Sequence, residues 1–316
     1  MLIDEGLAAK AIEEALKRGG DFAEVYVERR RSVSLNLEDG RLERSSTGLD
    51  GGASVRVIKG RNISFVSTDK LNERSLLQAA RLAGDGLAGG AATPQALSLR
   101  QHPSPHLIEI PPDTVLTSDK AAMLHTADEA ARGVGSELVQ SSITYGDDLS
   151  DMLVANSEGV LATEQRTRVR IIARAVGFRN SVMQTGYESV GAHKGMEILG
   201  GDTAAQVGRD AGQKALIMLD SQPSPSGKMT VVMHRGFGGV LFHEACGHGL
   251  EADTVEKGTS IFGDRMGERV AAGMVTLVDD GSLPGEWGSN AFDDEGVVTQ
   301  RTVLIEEGRL AGLMYD

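Results

Sequence analysis

The sequence has little of several features that define common classes of protein. It contains one cysteine, Cys246, in 316 residues, which excludes an internal disulfide framework and favours a reducing compartment. No apolar run approaches the roughly 18 residues that a membrane span requires. The first residues are acidic and lack the basic and apolar regions of a secretory signal. We therefore expect a cytoplasmic protein that has no membrane partner.

Basic and aromatic residues are also scarce. The formal net charge is -13, and aromatic residues make up 4% of the chain. Nucleic-acid binding normally depends on a basic patch that contacts phosphates. The one run of three arginines, residues 29–31, follows an acidic residue in a strand-like stretch and is interpreted as a solvated strand end. The composition predicts no nucleic-acid partner.

Two histidines and a glutamate lie close together in the segment 243–248, which reads His-Glu-Ala-Cys-Gly-His. Neutral imidazole is a common zinc ligand, and a glutamate beside a metal can accept a proton from water. The residues before the motif include a β-branched segment, 230–233, and a glycine-rich turn, 235–239. We predict a strand, a glycine turn and then a helix that carries His243, Glu244 and His248.

The five-residue interval between His243 and His248 is longer than the interval of four that places two ligands on one helix face. On a regular helix the two side chains would lie about 140° apart and roughly 7.5 Å apart along the axis. A widened turn with an i→i+5 hydrogen bond would bring both rings to one face. Because Gly247 weakens a helix, we predict a distorted or terminating helix at Cys246 and Gly247.

The spacing of apolar residues indicates a mixture of helices and strands. Helical intervals occur in four segments, 4–18, 73–88, 118–133 and 203–216. Strand-like alternation occurs at 22–37, 42–47, 53–59, 62–68, 138–147, 151–156, 159–166 and 167–178, and again within 301–315. The predicted fold class is α+β. An N-terminal helix, an antiparallel meander and a helix are followed by a β-rich second domain that carries the metal-site helix.

Composition suggests four segments along the chain. Residues 1–90 form an N-terminal α+β domain, 91–117 a linker, 118–222 a middle α+β region and 223–316 the start of a C-terminal domain. His102 and His106 lie between prolines of the linker, and we expect both to be exposed.

The chain resembles the TldD/PmbA family of zinc metallopeptidases over essentially its whole length. The match rests on 238–251, which reads Gly-Gly-Val-Leu-Phe-His-Glu-Ala-Cys-Gly-His-Gly-Leu-Glu, and on the segments 257–260, 293–296, 37–40 and 156–159. PmbA-like (TldE) members generally lack the His-Glu-x-x-x-His motif. This chain is therefore similar to the TldD-type subunit.

The resemblance implies that His243 and His248 bind Zn²⁺ and that Glu244 is the catalytic base. In the family a cysteine far downstream completes the coordination, whereas Cys246 lies inside the motif and is interpreted as a packing residue. Family chains are usually longer, so we expect the C-terminal metallopeptidase domain to be incomplete. The family also implies a heterodimer with a PmbA/TldE-type partner that processes unfolded peptides.

Three further residues are candidates near the motif. Glu251 and Asp253 could bind the ion directly or accept a hydrogen bond from an imidazole, and the second role is favoured. His234 could face the cleft, although a buried, hydrogen-bonded histidine is the favoured interpretation.

Two alternative functions stay open. One is a non-catalytic regulatory protein of a toxin or DNA gyrase system, which requires neither a metal nor Glu244. The other is a metal-dependent hydrolase of non-peptide amides.

Overall fold

The computed structural model describes residues 2–87, 89–91, 93–100, 104–234, 236 and 238–315. His102 lies outside them. The helices are α1 (Glu5–Leu16), α2 (Glu73–Asp85), α3 (Thr117–Arg132), α4 (Thr203–Leu219), α5 (Gly238–Phe242) and α6 (Ala252–Glu256). The strands are β1 (Gly19–Gly20), β2 (Phe22–Glu38), β3 (Arg41–Lys59), β4 (Asn62–Thr68), β5 (Gly89–Ala91), β6 (Ser98–Arg100), β7 (Leu138–Asn156), β8 (Val160–Arg179), β9 (Val182–Ala192), β10 (Leu277–Asp280), β11 (Arg301–Glu306) and β12 (Arg309–Leu310). Among the described residues, none of the helices has both the length and the apolar character needed to span a bilayer.

A seven-stranded sheet confirms the predicted α+β fold class. Its order is β4-β3-β2-β7-β8-β6, with β9 also paired to β8. All pairings are antiparallel except the short contact between β6 and β8. Some pairs of segments that the sequence predicts as separate strands form one long strand in the structure. The backbone continues to pair with the neighbouring strand across the polar residues between them. β3, for example, joins the predicted strands 42–47 and 53–59.

Helices α1 to α4 cover one face of this sheet. The buried residues of β2 that face them have odd numbers, from Ala23 to Leu37, as expected for a strand with one buried face. One core cluster contains α1 and α2, and a second contains α3 and α4. The long strands therefore offer two successive apolar areas on the same face, one for each pair of helices.

The opposite face of the sheet is partly covered by the segment 284–298. Phe292 is fully buried in this segment and packs with Ala291 against Val154 and Ala162 of the sheet. Arg166 donates a hydrogen bond of 2.6 Å to the Phe292 carbonyl oxygen. The acidic residues that follow form a turn held by ion pairs, Glu295 with Arg56 and Asp294 with Arg166. The segment is thus fastened by both apolar and charged contacts.

Contacts within the chain divide it into two units. The first contains residues 1–221 and 284–298, and the second contains 222–283 and 299–316. The second unit is built on a three-stranded antiparallel sheet, β10-β11-β12, and on a small core that includes Leu250 and Phe262. The four-segment division of the sequence stays a prediction.

A stacked pair of histidines lies under the segment 284–298. The ring centroids of His106 and His193 are 3.6 Å apart, and both residues are buried, so the expectation that His106 is exposed was wrong. Gly285, 179 positions away, donates its backbone N–H to His106 Nδ1, and no local pattern in the sequence predicts this long-range contact. His193 Nδ1 donates to the Ser289 carbonyl oxygen at 2.9 Å, and its Nε2 accepts from the Thr167 N–H at 3.2 Å.

Acidification should loosen the segment 284–298. Burial lowers the pKa of His193 from 6.5 to about 4. The contribution of the neutral ring to the free energy of unfolding is therefore complete above about pH 6.5. That contribution, of order 3 kcal/mol, disappears as the pH falls towards 4. Hydrogen exchange of residues 284–298, corrected for intrinsic rates, should show protection falling across this range. His193→Gln should lower the protection and reduce its pH dependence, the remainder coming from His106, whose pKa burial also lowers, whereas the exposed-site control His125→Gln should behave like the wild type. Equal pH dependence in all three proteins would contradict this account.

A buried ion pair joins α3 to β7 on the helix-covered face. Lys120 Nζ lies 2.6 Å from Asp147 Oδ2, and the Tyr145 hydroxyl donates to the same oxygen at 2.6 Å. Lys120 and Asp147 are 3% and 4% exposed. Because a charge left alone in such a position is costly, neither partner can be removed singly without loss of stability.

Lys120→Met should lower the free energy of unfolding by roughly 3–5 kcal/mol, because it leaves Asp147 charged and buried. Adding Asp147→Asn to this variant should recover part of the loss. The control Lys10→Met breaks an exposed pair with Glu73 and should cost less than about 1 kcal/mol. Urea unfolding followed by circular dichroism measures the free energy of unfolding of all three variants. A loss for Lys120→Met no larger than that for Lys10→Met would contradict a stabilising role for the buried ion pair.

Candidate metal centre

The segment that precedes the motif is irregular. Residues 222–234 contain neither helix nor strand, so the strand predicted at 230–233 was wrong. Val231 and Val232 are 67% and 92% exposed. A β-branched segment becomes a strand only when a neighbouring strand provides hydrogen-bond partners, and no strand in the described part of the chain pairs with this one. Of the glycine-rich turn, Gly236, Gly238 and Gly239 are described, and Gly239 N–H donates to the Gly236 carbonyl oxygen.

The helix that carries the motif widens where the two histidines lie. α5 ends at Phe242, and the chain continues as a π-helical turn over His243–Gly247 and a 3₁₀ turn over His248–Leu250. The backbone N–H of His248 donates to the carbonyl oxygen of His243, which is the i→i+5 bond of a π turn. The predicted distortion at Cys246 and Gly247 is therefore confirmed.

The widened turn brings the two imidazoles and the carboxylate together. The ring centroids of His243 and His248 are 4.4 Å apart, and the ring planes are inclined by 70°. One potential ligand atom from each of His243, Glu244 and His248 lies within 4.8 Å of the other two, and all three side chains are exposed. Zinc binds such donors at about 2.0–2.2 Å, so two donors of one ion are at most roughly 4.4 Å apart. Small rotations of exposed side chains meet this requirement, and the donor set fits a zinc ion.

Glu251 orients the second histidine. Its Oε1 lies 2.9 Å from His248 Nδ1, so the neutral ring donates from Nδ1 and leaves Nε2 available as a ligand. The hydrogen bond and charge of Glu251 raise the pKa of His248. The backbone around Glu251 is anchored to the end of the chain, since Ala252 N–H donates to the Met314 carbonyl oxygen and Met314 N–H to that of Leu250.

The turn that carries the motif packs against the core of the second unit. Leu250 is fully buried with Phe262, Leu304, Ile305 and Leu310. Cys246 packs against the same cluster, as its interpretation as a packing residue predicts. The side chain of Ser260 donates a hydrogen bond to the Gly249 carbonyl oxygen, which fastens the 3₁₀ turn. Ser260 lies in the segment 257–260 that the family resemblance includes, but the sequence did not predict its contact with Gly249.

Two other candidate residues stand apart from the group. Asp253 pairs with Lys257 Nζ at 2.5 Å, and this contact lowers the pKa of Asp253. His234 is exposed, so the favoured interpretation of a buried histidine was wrong, because the irregular segment 222–234 provides no interior to enclose it. Among the described residues, His243, Glu244 and His248 form the one group of three potential metal-binding side chains.

Family models cover most of the chain. The model described as "PmbA/TldA metallopeptidase domain 1" matches residues 23–85, and "PmbA/TldA metallopeptidase central domain" matches 110–219. The "PmbA/TldA metallopeptidase C-terminal domain" matches 226–316, which includes the whole motif.

Individual relatives carry related names. A "Metalloprotease TldD homolog" from Haemophilus influenzae is 32% identical over 95% of this chain. A "Metalloprotease" from Methanothermobacter thermautotrophicus is 33% identical over 93% of this chain. The chain spans 64% of the length of each of these relatives.

Solved structures share the fold at lower identity. A protein named as a candidate modulator of DNA gyrase from Bacteroides thetaiotaomicron matches with a TM-score of 0.81 and 21% identity, over 100% of this chain and 73% of that one. TldE from Thermococcus kodakarensis matches with a TM-score of 0.74 and 20% identity, over 99% and 69%. The family models and the relatives above 30% identity show that the chain belongs to the PmbA/TldD family of metallopeptidases.

Proposed function

We propose that this chain is a zinc-dependent peptidase subunit in which His243 and His248 hold the ion and Glu244 is the general base. The observation that supports this most strongly is the clustering of the three ligand atoms within 4.8 Å. Two imidazoles are donors that suit zinc, and a carboxylate beside them can act as a base. The names of the relatives agree with a metal-dependent peptidase.

The chemistry divides between the ion and the protein. When bound, zinc acts as a Lewis acid that polarises a peptide carbonyl and lowers the pKa of water. The Glu244 carboxylate is exposed beside both imidazoles, where it can accept a proton from the attacking water at an Oε atom. It then passes the proton to the departing amine nitrogen. Glu251 holds the His248 ring by its Nδ1 atom, which leaves Nε2 available to bind the ion.

We also propose unfolded peptides as substrates and a TldE-type chain as partner. An extended peptide can bind along a sheet edge through its backbone, which tolerates varied side chains. The fold that this chain shares with TldE from Thermococcus kodakarensis supports pairing between two related subunits. We assign the protein to the cytoplasm, and the single cysteine fits that compartment.

Glu244→Gln should reduce cleavage of an unfolded protein such as casein by roughly 10²–10⁴-fold, because the amide cannot accept the proton. Its zinc content, measured by mass spectrometry, should equal that of the wild type. The control is Glu256→Gln, which changes a glutamate of α6 outside the motif and should leave cleavage unchanged. A wild-type chain that neither holds zinc nor cleaves would favour the non-catalytic alternative, whereas a Glu244→Gln variant that cleaves at the wild-type rate would remove Glu244 from the mechanism.

Glu251→Ala should weaken zinc binding by roughly 10- to 100-fold, because the His248 ring loses the acceptor that orients it. Glu251→Gln should weaken it less, since its amide oxygen can still accept the hydrogen bond. Asp253→Ala is the matched control, because that carboxylate pairs with Lys257 instead. Competition with a chromogenic chelator measures zinc affinity independently of cleavage. Equal affinities for Glu251→Ala and Asp253→Ala would show that Glu251 has no positioning role.

A further inference from the structure

The sheet face that carries the segment 284–298 also contains an open cavity. Its volume is about 540 Å³, which lies within the range of small-ligand sites, roughly 300–1,000 Å³. Small polar side chains of β2 and β7 form the floor, while arginines of β8 and Trp287 form a wall. Its lining includes Ser34, Gly146, Asp148, Arg168, Arg170 and Trp287.

The pairing register creates a trough across the sheet at this cavity. Ser34 of β2 is paired with Gly146 of β7, Gly146 with Arg170 of β8, and Arg170 with Gly191 of β9. Paired residues point to the same face of a sheet. Arg170 is therefore the one long side chain in a row of four, with a glycine on each side. Its guanidinium group can lie low in the trough and meet a ligand from several directions.

Trp287 closes one side of the trough. A Cβ atom at Gly191 would lie 3.2 Å from the indole ring and 3.0 Å from Arg170 Cβ, so the ring packs this closely only because residue 191 is glycine. The guanidinium carbons of Arg168 and Arg170 lie 6.0 Å and 5.8 Å from the ring centroid. The aromatic wall shields both charges from water on one side, which strengthens their attraction to an anion.

Two of the four arginines around this cavity, Arg168 and Arg170, have no ion pair with an acid in the described part of the chain. Arg30 pairs with Asp148, and Arg166 pairs with Glu164. Arg168 donates to neutral acceptors, the Trp287 carbonyl oxygen and Asn290 Oδ1. Within the described part of the chain, no hydrogen bond or ion pair links Arg170 to a carboxylate. Arg168 is held by neutral acceptors, whereas the Arg170 guanidinium at the centre of the trough has its donors available for a ligand.

We propose that this trough binds one carboxylate group of a polypeptide, with Arg170 as the bidentate donor. A guanidinium group matches the planar geometry of a carboxylate. Glu28, Asp148 and Asp294 also line the cavity, and their repulsion is weaker for a singly charged carboxylate than for a phosphate or nucleic acid of higher charge. Hydroxyl groups of the floor, such as Ser34, can bond the peptide backbone beside the carboxylate. The site lies in the first unit, requires no metal and is independent of the proposed peptidase activity.

The chain provides its own probe, because Trp287 is the one tryptophan of the sequence. We would titrate the full chain with an end-blocked Gly/Ser pentapeptide that has one central glutamate and follow tryptophan emission, with calorimetry as a second readout. The expected result is saturable binding that weakens as salt is added. The same peptide with glutamine should not bind. A glutamine peptide with a free C-terminus tests whether a terminal carboxylate is also accepted.

Arg170→Gln should weaken binding of the glutamate peptide by roughly 10- to 100-fold, the effect of losing hydrogen bonds between charged groups. Arg44→Gln is the matched control, because Arg44 is an exposed arginine of β3 outside the cavity, and it should bind like the wild type.

Three results would overturn the proposal. They are an absence of binding by every carboxylate peptide in both readouts, equal affinities for the two variants, and saturable binding of inorganic phosphate without binding of any peptide.

Discussion

The hydrogen bond from the His248 N–H to the His243 carbonyl oxygen is the constraint on which the candidate metal centre depends. A regular helix would direct the two imidazoles about 140° apart, whereas the widened turn leaves their centroids 4.4 Å apart. Packing stabilises this turn. Gly247 is buried, Leu250 lies in the core, and Phe262 approaches so closely that a Cβ on Gly249 would be 3.1 Å from its ring. The geometry of the centre is thus determined by the small core beneath it.

Local patterns predicted the features that depend on local interactions. The interval of five between histidines was sufficient to predict the widened turn, because one hydrogen-bond pattern reconciles it with a shared ligand. Odd-numbered apolar residues in β2 predicted its buried face. β9 was missed because it lies at the edge of the sheet, where only Gly186 is buried and the sequence shows no alternation. The prediction of a strand at 230–233 was wrong although its residues are β-branched, because they have no partner strand among the described residues.

Charge pairing across the chain could not be predicted from the sequence. Arg166, Arg168 and Arg170 occupy alternate positions of β8 and look equivalent in the sequence. In the structure the first forms ion pairs with acids, the second bonds neutral acceptors, and the third faces open space beside an indole ring. Besides the local pair of Arg166 with Glu164, these environments depend on residues more than 100 positions away, as the contacts of Arg166 with Phe292 and Asp294 illustrate. The burial of His106 likewise depends on Gly285.

The return of the segment 284–298 to the first unit has a consequence for biosynthesis. The ribosome synthesises residues 1–221 before it reaches Phe292. Val154 and Ala162 of the nascent sheet therefore stay uncovered until the segment 284–298 has been made. Domains usually fold as they emerge, and exposed apolar surface during that delay promotes aggregation. The interval of translation between residues 221 and 284 is therefore a period in which a chaperone would be most useful to this chain.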